Sequence, residues 1–168
     1  RSPRDGGRLA CIVRRPRTDA RESVAAAALT VGDGLVGDNW RARGSRRTAD
    51  GTAHPDMQLT LMNARAIARV AGAPERWPLA GDQLFVDLDL SADNLPAGTR
   101  LAVGTAVIEV TPQPHTGCHK FVDRYGAHAM KFVNSELGRS LNLRGIYARV
   151  VTPGAIHVGD RVTKVAAG

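Results

Sequence analysis

The sequence predicts a mainly β domain: a closed or nearly closed β-barrel with a few peripheral helices. Short Val- and Ile-rich runs recur along 168 residues and are punctuated by 18 glycines and 9 prolines, as expected of many short strands joined by turns. Helical periods are few, and no alternation of strand and crossover helix marks a parallel sheet covered on both faces. A chain of this length that is 43% hydrophobic fills one core and is too short for two ordinary domains. Residues 1–168 are therefore read as a single domain. With aromatics at 4%, its core must be built from Val, Leu, Ile and Ala.

Leu9 to Val13 reads as a short strand carrying Cys11 in an apolar run, where a cysteine acts as a small buried hydrophobe. Asp19 to Leu29 is Ala-rich with Glu22 early, which suits a short helix ended by glycines. Gly32 to Gly37 spells G-x-G-x-x-G, with Asp56 at the distance of a ribose-binding acid. A dinucleotide fingerprint needs a strand before it and a helix after it. Here a helical stretch precedes and Asp38-Asn39-Trp40-Arg41 follows without apolar period, so the glycines make a turn that places Asp38 and Trp40. A long polar loop runs to Pro55. Met57 to Met62 is a strand, and Asn63 caps a helix from Ala64 to Ala71 that Gly72 ends. Gln83 to Leu88 is a strand, and Arg100–Val103 with Thr105–Val110 form a hairpin around Gly104. Apolar residues from Phe121 to Leu143 recur at helical spacing. Ile146 to Val151 is a strand, Pro153-Gly154 a turn, and Arg161 to Val165 the last strand.

No apolar run is long enough to span a membrane, and no signal-peptide pattern is present, although the chain begins at Arg1 without a Met. Cys11 and Cys118 fit no zinc-finger spacing and give no disulfide framework, so a reducing, cytoplasmic setting is expected. The net charge of +7 favours an anionic partner. No basic helix or aromatic-studded stripe accompanies it, so a small phosphorylated ligand is expected rather than nucleic acid.

The densest chemistry lies in Thr111 to Phe121, just after a run whose alternation of Ala106, Ile108 and Val110 suits a half-buried strand. Two prolines end the strand, and Cys118 follows, flanked by His115, His119 and Lys120. Cations beside a thiol lower its pKa and make it a better nucleophile and soft-metal ligand. The alternative is an ordinary loop cysteine with solvated neighbours. A second cluster, Arg41, Arg43, Arg46 and Arg47, lies in the long loop, where guanidiniums can grip phosphate bidentately. Its alternative is a solvated basic surface.

Several landmarks, in order, resemble the MOSC family, named after the C-terminal domain of molybdenum cofactor sulfurase. Gly34-Leu35-Val36-Gly37-Asp38 resembles its G-hydrophobic-x-G-D turn, and His54-Pro55-Asp56 its H-G-G-P-D segment, without the paired glycines. Gly81-Asp82-Gln83-Leu84 stands where G-E-N-hydrophobic is expected. Gln113 to Cys118 falls where a Pro-containing loop carries the family's cysteine, and Gly154-x-Ile156-x-x-Gly159-Asp160-x-Val162 matches the closing G-x-I-x-x-G-D-x-V. The landmarks span residues 34–165.

This resemblance implies a barrel that handles molybdenum cofactor (molybdopterin), a pterin dithiolene bearing a phosphate. Cys118 would ligate the metal in an oxidoreductase or, alternatively, carry a persulfide in a sulfur transferase. A third reading is a non-catalytic binding module. Under the first, His115 and His119 would tune the thiolate or move protons. Arg41, Arg43, Arg46, Arg47 and Lys120 would hold the phosphate end, with Asp38 and His54 beside them. No tightly bound pyridoxal phosphate is expected, because the domain that carries it in the family's larger enzymes has no room here. A cysteine desulfurase or electron-donor protein would be a separate partner. Neither substrate nor oligomeric state is legible.

Overall fold

The computed structural model describes residues 1–166. Its strands are β1 (Gly7–Arg14), β2 (Glu22–Val24), β3 (Ala26–Thr30), β4 (Gly34–Leu35), β5 (Leu59–Asn63), β6 (Leu84–Asp87), β7 (Arg100–Val103), β8 (Ala106–Val110), β9 (Ile146–Thr152), β10 (Gly154–His157) and β11 (Arg161–Val165). Its α-helices are α1 (Trp40–Arg43), α2 (Ala64–Ala71), α3 (His119–Tyr125), α4 (Ala127–Asn134) and α5 (Glu136–Ser140). Seven strands in the order β11-β7-β8-β9-β5-β6-β1 close into a barrel, because β1 also pairs with β11 through Gly7↔Val162 and Arg8↔Arg161. All neighbours are antiparallel except β5 and β6. β2 adds to β1, and β10-β3-β4 form a small second sheet.

Two apolar clusters hold this arrangement. Leu9, Ile12, Leu61, Leu84, Leu101 and Ile108 are fully buried inside the barrel. Outside it, Met62 and Phe85 face Ile67 of α2 and Phe121 of α3. Strands β5 and β6 are thus covered on both faces, as a parallel pair requires. A register shift between Leu9 and Cys11 in β1 puts Leu9 and Ile12 inward and Val13 outward. Cys11 lies at the margin of the outer cluster, half-buried rather than within the core, and burial raises the pKa of its thiol.

The barrel, the hairpin around Gly104 and the bounds of α2 agree with the sequence reading. Asn63 caps α2 by accepting from Ala66 N at 2.9 Å, and the Gly72 N–H bonds Ala68 O at its other end. Asp19–Leu29 is not a helix. It forms β2 and most of β3, because β1 and β10 offer backbone partners, including Ala155↔Ala28 and Ile156↔Ala27. Pairing overrides the modest helix preference of alanine. β10 itself occupies residues expected only to leave a turn at Pro153-Gly154. The helical pattern from Phe121 to Leu143 is cut into three helices, at Gly126 with φ +92° and at Ser135, whose hydroxyl caps α5 by accepting from Gly138 N at 2.9 Å. No helix among the described residues is long and apolar enough to cross a membrane.

Candidate functional site: an arginine-lined cavity beside the cysteine loop

The end of β1, the turn before β6, the start of β9, α1 and α3 converge on a cavity of ≈ 210 Å³. Its walls carry Arg15, Arg21, Arg43, Lys120, Arg124 and Arg144, with Asp82, His54, His115 and Tyr147 among them. Two arginines are locked by buried carboxylates. Arg15 donates from Nε to Asp38 Oδ1 at 2.9 Å and from Nη2 to Oδ2 at 2.7 Å, while its backbone N–H reaches Oδ1 at 2.8 Å. Arg144 donates from Nη1 to Asp82 Oδ1 at 2.7 Å and from Nη2 to Ala80 O at 3.0 Å. Its guanidinium lies 5.1 Å from the Phe121 ring centre.

The remaining cations are not neutralised in this way. Among the described residues, Arg21, Arg43, Lys120 and Arg124 form no ion pair. Burial lowers the pKa of Arg21, with Arg124 and Arg15 adding to it, and burial followed by Arg15 does the same at Arg43. The Arg21 Nε is enclosed without a partner. Like charges held together at partial desolvation are a standing cost that a bound anion removes.

His115 forms part of the wall rather than supplying a cation. Its ring lies 4.5 Å from that of Tyr147, and its Nδ1 is enclosed and unpartnered. Burial above all, then Arg144, pushes its pKa down to about 4, against the opposing pull of Asp82. Of the two imidazoles that flank the thiol in sequence, His115 is thus disfavoured as a cation at neutral pH. Gly145 makes this packing possible. At φ +120° a Cβ there would collide with the Leu61 carbonyl oxygen and stand 3.0 Å from Asp82 Oδ2 and 3.2 Å from His115 Nδ1.

Cys118 stands exposed immediately before α3, outside the cavity lining. It follows His115 by three residues and precedes Lys120 by two, and both of those line the wall. His119 is exposed. The loop is tied to α4 by the Gly117 N–H, which donates to Asn134 Oδ1 at 3.2 Å.

Of the four loop arginines only Arg43 lines the cavity. The single turn of α1 sends Arg41 elsewhere, to an exposed ion pair with Asp33 at 3.0 Å. Arg46 is exposed and outside the lining, and Arg47, also exposed, comes within 3.5 Å of Gln113 Oε1. Asp38 is enclosed and wholly engaged by Arg15 and by the Trp40 N–H at 3.1 Å. His54 lines the cavity and accepts from Asp56 N through Nδ1 at 3.1 Å. Sequence reasoning missed Arg15, Arg21, Arg124, Arg144 and Tyr147. Arg15 follows β1 directly and Arg144 comes two residues before β9, so charges flanking apolar strands were the available signal. No three His, Cys, Asp or Glu side chains among the described residues are grouped to hold a metal ion.

The family description "MOSC domain" matches residues 48–163. No curated protein matches the sequence. Among solved structures, YuaD from Bacillus subtilis is 18% identical with a TM-score of 0.69, covering 93% of each chain. YiiM from Geobacillus stearothermophilus is 19% identical with a TM-score of 0.63, covering 96% of this chain and 76% of the other. YiiM from Escherichia coli is 22% identical with a TM-score of 0.59, covering 96% and 71%. At these identities the likeness is one of fold.

Proposed function

The chain belongs to the MOSC domain family, and on that premise we propose that it binds molybdenum cofactor as an oxidoreductase of this type, with Cys118 as the metal-ligating thiolate. The observation that carries this reading is the set of cavity cations without carboxylate partners, Arg21, Arg43, Lys120 and Arg124, beside the loop bearing the one exposed thiol. The donor set fits an anionic cofactor. Guanidiniums offer forked donors to phosphate oxygens, and the enclosed Arg21 Nε still lacks an acceptor. A cavity of ≈ 210 Å³ is smaller than the roughly 300–1,000 Å³ of ordinary ligand clefts, which suits one end of the cofactor rather than its whole length.

When bound, the cofactor would supply a redox-active metal already held by its dithiolene. The chain's residues do the rest. Arg21, Arg43, Arg124 and Lys120 would hold the phosphate end, Arg15 and Arg144 form a wall that Asp38 and Asp82 keep in place, and Cys118, exposed just before α3, would offer sulfur to the metal. His115, neutral at pH 7, can exchange a hydrogen bond with a bound group without adding charge.

The exposure of Cys118 favours one further reading, a persulfide carrier loaded by a separate cysteine desulfurase, because a donor protein can reach the thiol. Purification from cells that make the cofactor, followed by metal analysis, separates the two. Molybdenum that co-purifies and is lost in Cys118→Ser supports ligation. A metal-free protein whose cysteine carries a persulfide supports the relay, and a protein with neither metal nor persulfide is the binding module.

A further inference from the structure

A second cleft shares no lining residue with the arginine-lined cavity. It holds ≈ 450 Å³ between α2 on one side and α4, α5 and the residues after α5 on the other. Ala66, Leu90 and Leu143 line it, and Phe132, Leu137 and Leu141 bring apolar surface to it at 37%, 66% and 36% exposure. Its walls are tied down: Asn142 Nδ2 donates to Leu90 O at 2.9 Å, and Asn63 Nδ2 to Leu88 O at 2.8 Å. Exposed apolar side chains scattered singly mean little, but several gathered along one cleft mark a binding surface.

Charge says what covers it. Arg1, Arg65 and Arg69 line the cleft against Asp89, and Asp89 is already engaged by the Ser91 N–H at 2.9 Å and lies 3.7 Å from Arg4. Arg65 and Arg69 stand four apart on α2, on one face, where like charges oppose the helix that carries them. Arg65 meets Asp87 at 3.0 Å with half of its side chain exposed, and among the described residues Arg69 forms no ion pair. The walls are helices, which offer no open strand edge, so the occupant that fits is a helix laid in the groove. A second copy of this chain does not supply one: among the described residues no helix carries two carboxylates four apart. Cleft against cleft would set arginine against arginine.

We propose that this cleft docks an acidic amphipathic helix of another protein, whose apolar stripe covers Phe132, Leu137 and Leu141 and whose carboxylates, one turn apart, meet Arg65 and Arg69. The proposal is independent of the cofactor reading. A helix docked here touches α4, the element whose Asn134 holds the Gly117 N–H of the cysteine loop.

The probe is a labelled synthetic peptide of about 18 residues, with leucines at i, i+3, i+4 and i+7 and glutamates four apart beside them. Two controls are the same peptide with Lys for Glu and a scrambled Glu peptide without apolar period. Fluorescence anisotropy at about 0.15 M ionic strength, where diffuse attraction is screened, should show the Glu peptide bound roughly tenfold tighter than either control. Leu137→Asp lies at an exposed position in the first turn of α5, where an acid suits the helix; it should weaken the Glu peptide by roughly tenfold or more. Arg69→Glu should weaken the Glu peptide about fivefold and strengthen the Lys peptide, and the second result cannot come from misfolding. Equal affinity for the Glu and scrambled peptides, or affinities that neither substitution changes, overturns the proposal. So does a dimer in sedimentation velocity that Leu137→Asp abolishes, which gives the cleft to a second copy, or saturable binding of decanoate with none of the Glu peptide, which gives it to a small amphiphile.

Discussion

Replacing Asp38 with Ala should be among the most damaging single changes near the cavity, and its cost can be worked from burial. The Asp38 side chain has 0% exposure and that of Arg15 9%. The carboxylate serves two Arg15 side-chain nitrogens and the backbone N–H groups of Arg15 and Trp40. Its removal leaves a buried guanidinium uncompensated, a loss of about 3–5 kcal/mol. In a domain of this size each kcal/mol moves the melting temperature by about 2–4 °C, so a drop of roughly 10 °C is expected. Asp33→Ala is the control. It breaks the same kind of ion pair, with Arg41, but at exposures of 70% for Arg41 and 53% for Asp33, where the cost is about 0–1 kcal/mol. Urea unfolding followed by tryptophan fluorescence measures both. The double variant Arg15→Met/Asp38→Leu should recover much of the stability, because a buried pair replaced by packed apolar side chains costs little. A loss below about 1 kcal/mol in Asp38→Ala, or one no larger than in Asp33→Ala, would refute the claim that this pair holds the cavity wall.

The His115 pKa of about 4 lies below its unfolded value of 6.5, so the stability linked to it is complete above about pH 6.5 and is lost as pH falls towards 4. That loss should amount to about 3 kcal/mol, and His115→Gln should flatten this part of the urea-monitored pH profile. Iodoacetamide near neutral pH should label exposed Cys118 much faster than Cys11, which is half-buried with a raised pKa; equal rates by peptide mass mapping would contradict the placement of Cys11. Arg43→Ala should lower retention of molybdenum cofactor without loss of melting temperature, while Arg41→Ala should leave retention unchanged, since only the former lines the cavity. Equal effects of the two on co-purifying molybdenum would return the whole loop to a diffuse basic surface.

What the sequence revealed and what it hid divide along physical lines. α2 was legible to the residue because its signals are local: Asn63 caps it and Gly72 ends it. The barrel strands were legible from alternation and turn residues. β3 and β10 were not, since the alanine run from Ala25 to Ala28 takes strand geometry from a partner that lies far along the chain, Ala28 facing Ala155 and Ala27 facing Ile156. The cavity shows the same division. His115, Lys120 and Arg43 drew attention through unusual local composition, as did Cys118 beside the cavity, and His54 through the resemblance of its segment to a family motif. Arg15, Arg21 and Arg144 stood beside ordinary apolar runs, and no local pattern says which carboxylate will meet a guanidinium. The pairs Arg15–Asp38 and Arg144–Asp82 span 23 and 62 positions. The loop arginines were over-read for the same reason, because four like charges close in sequence need not share a face in space.

The pairing of β1 with β11 bears on when this protein can begin to work. The Leu9 N–H bonds Asp160 O at 2.9 Å, and the Gly159 N–H bonds Leu9 O at 2.7 Å, so the first barrel strand to be synthesised waits for the last. During translation, at about 5–20 residues per second, β1 can rest on β6 and take β2 along Ile12–Arg14, while the Gly7–Leu9 part of its other edge stays open for several seconds more. Such an edge is a template for wrong partners. Arg15 and Asp82, which follow β1 and precede β6, can come together early, but Arg144 arrives only with β9. An anion gripped by both Arg15 and Arg144 can therefore bind only after β9 has been made, and a nascent-chain chaperone has most to protect at the start of β1.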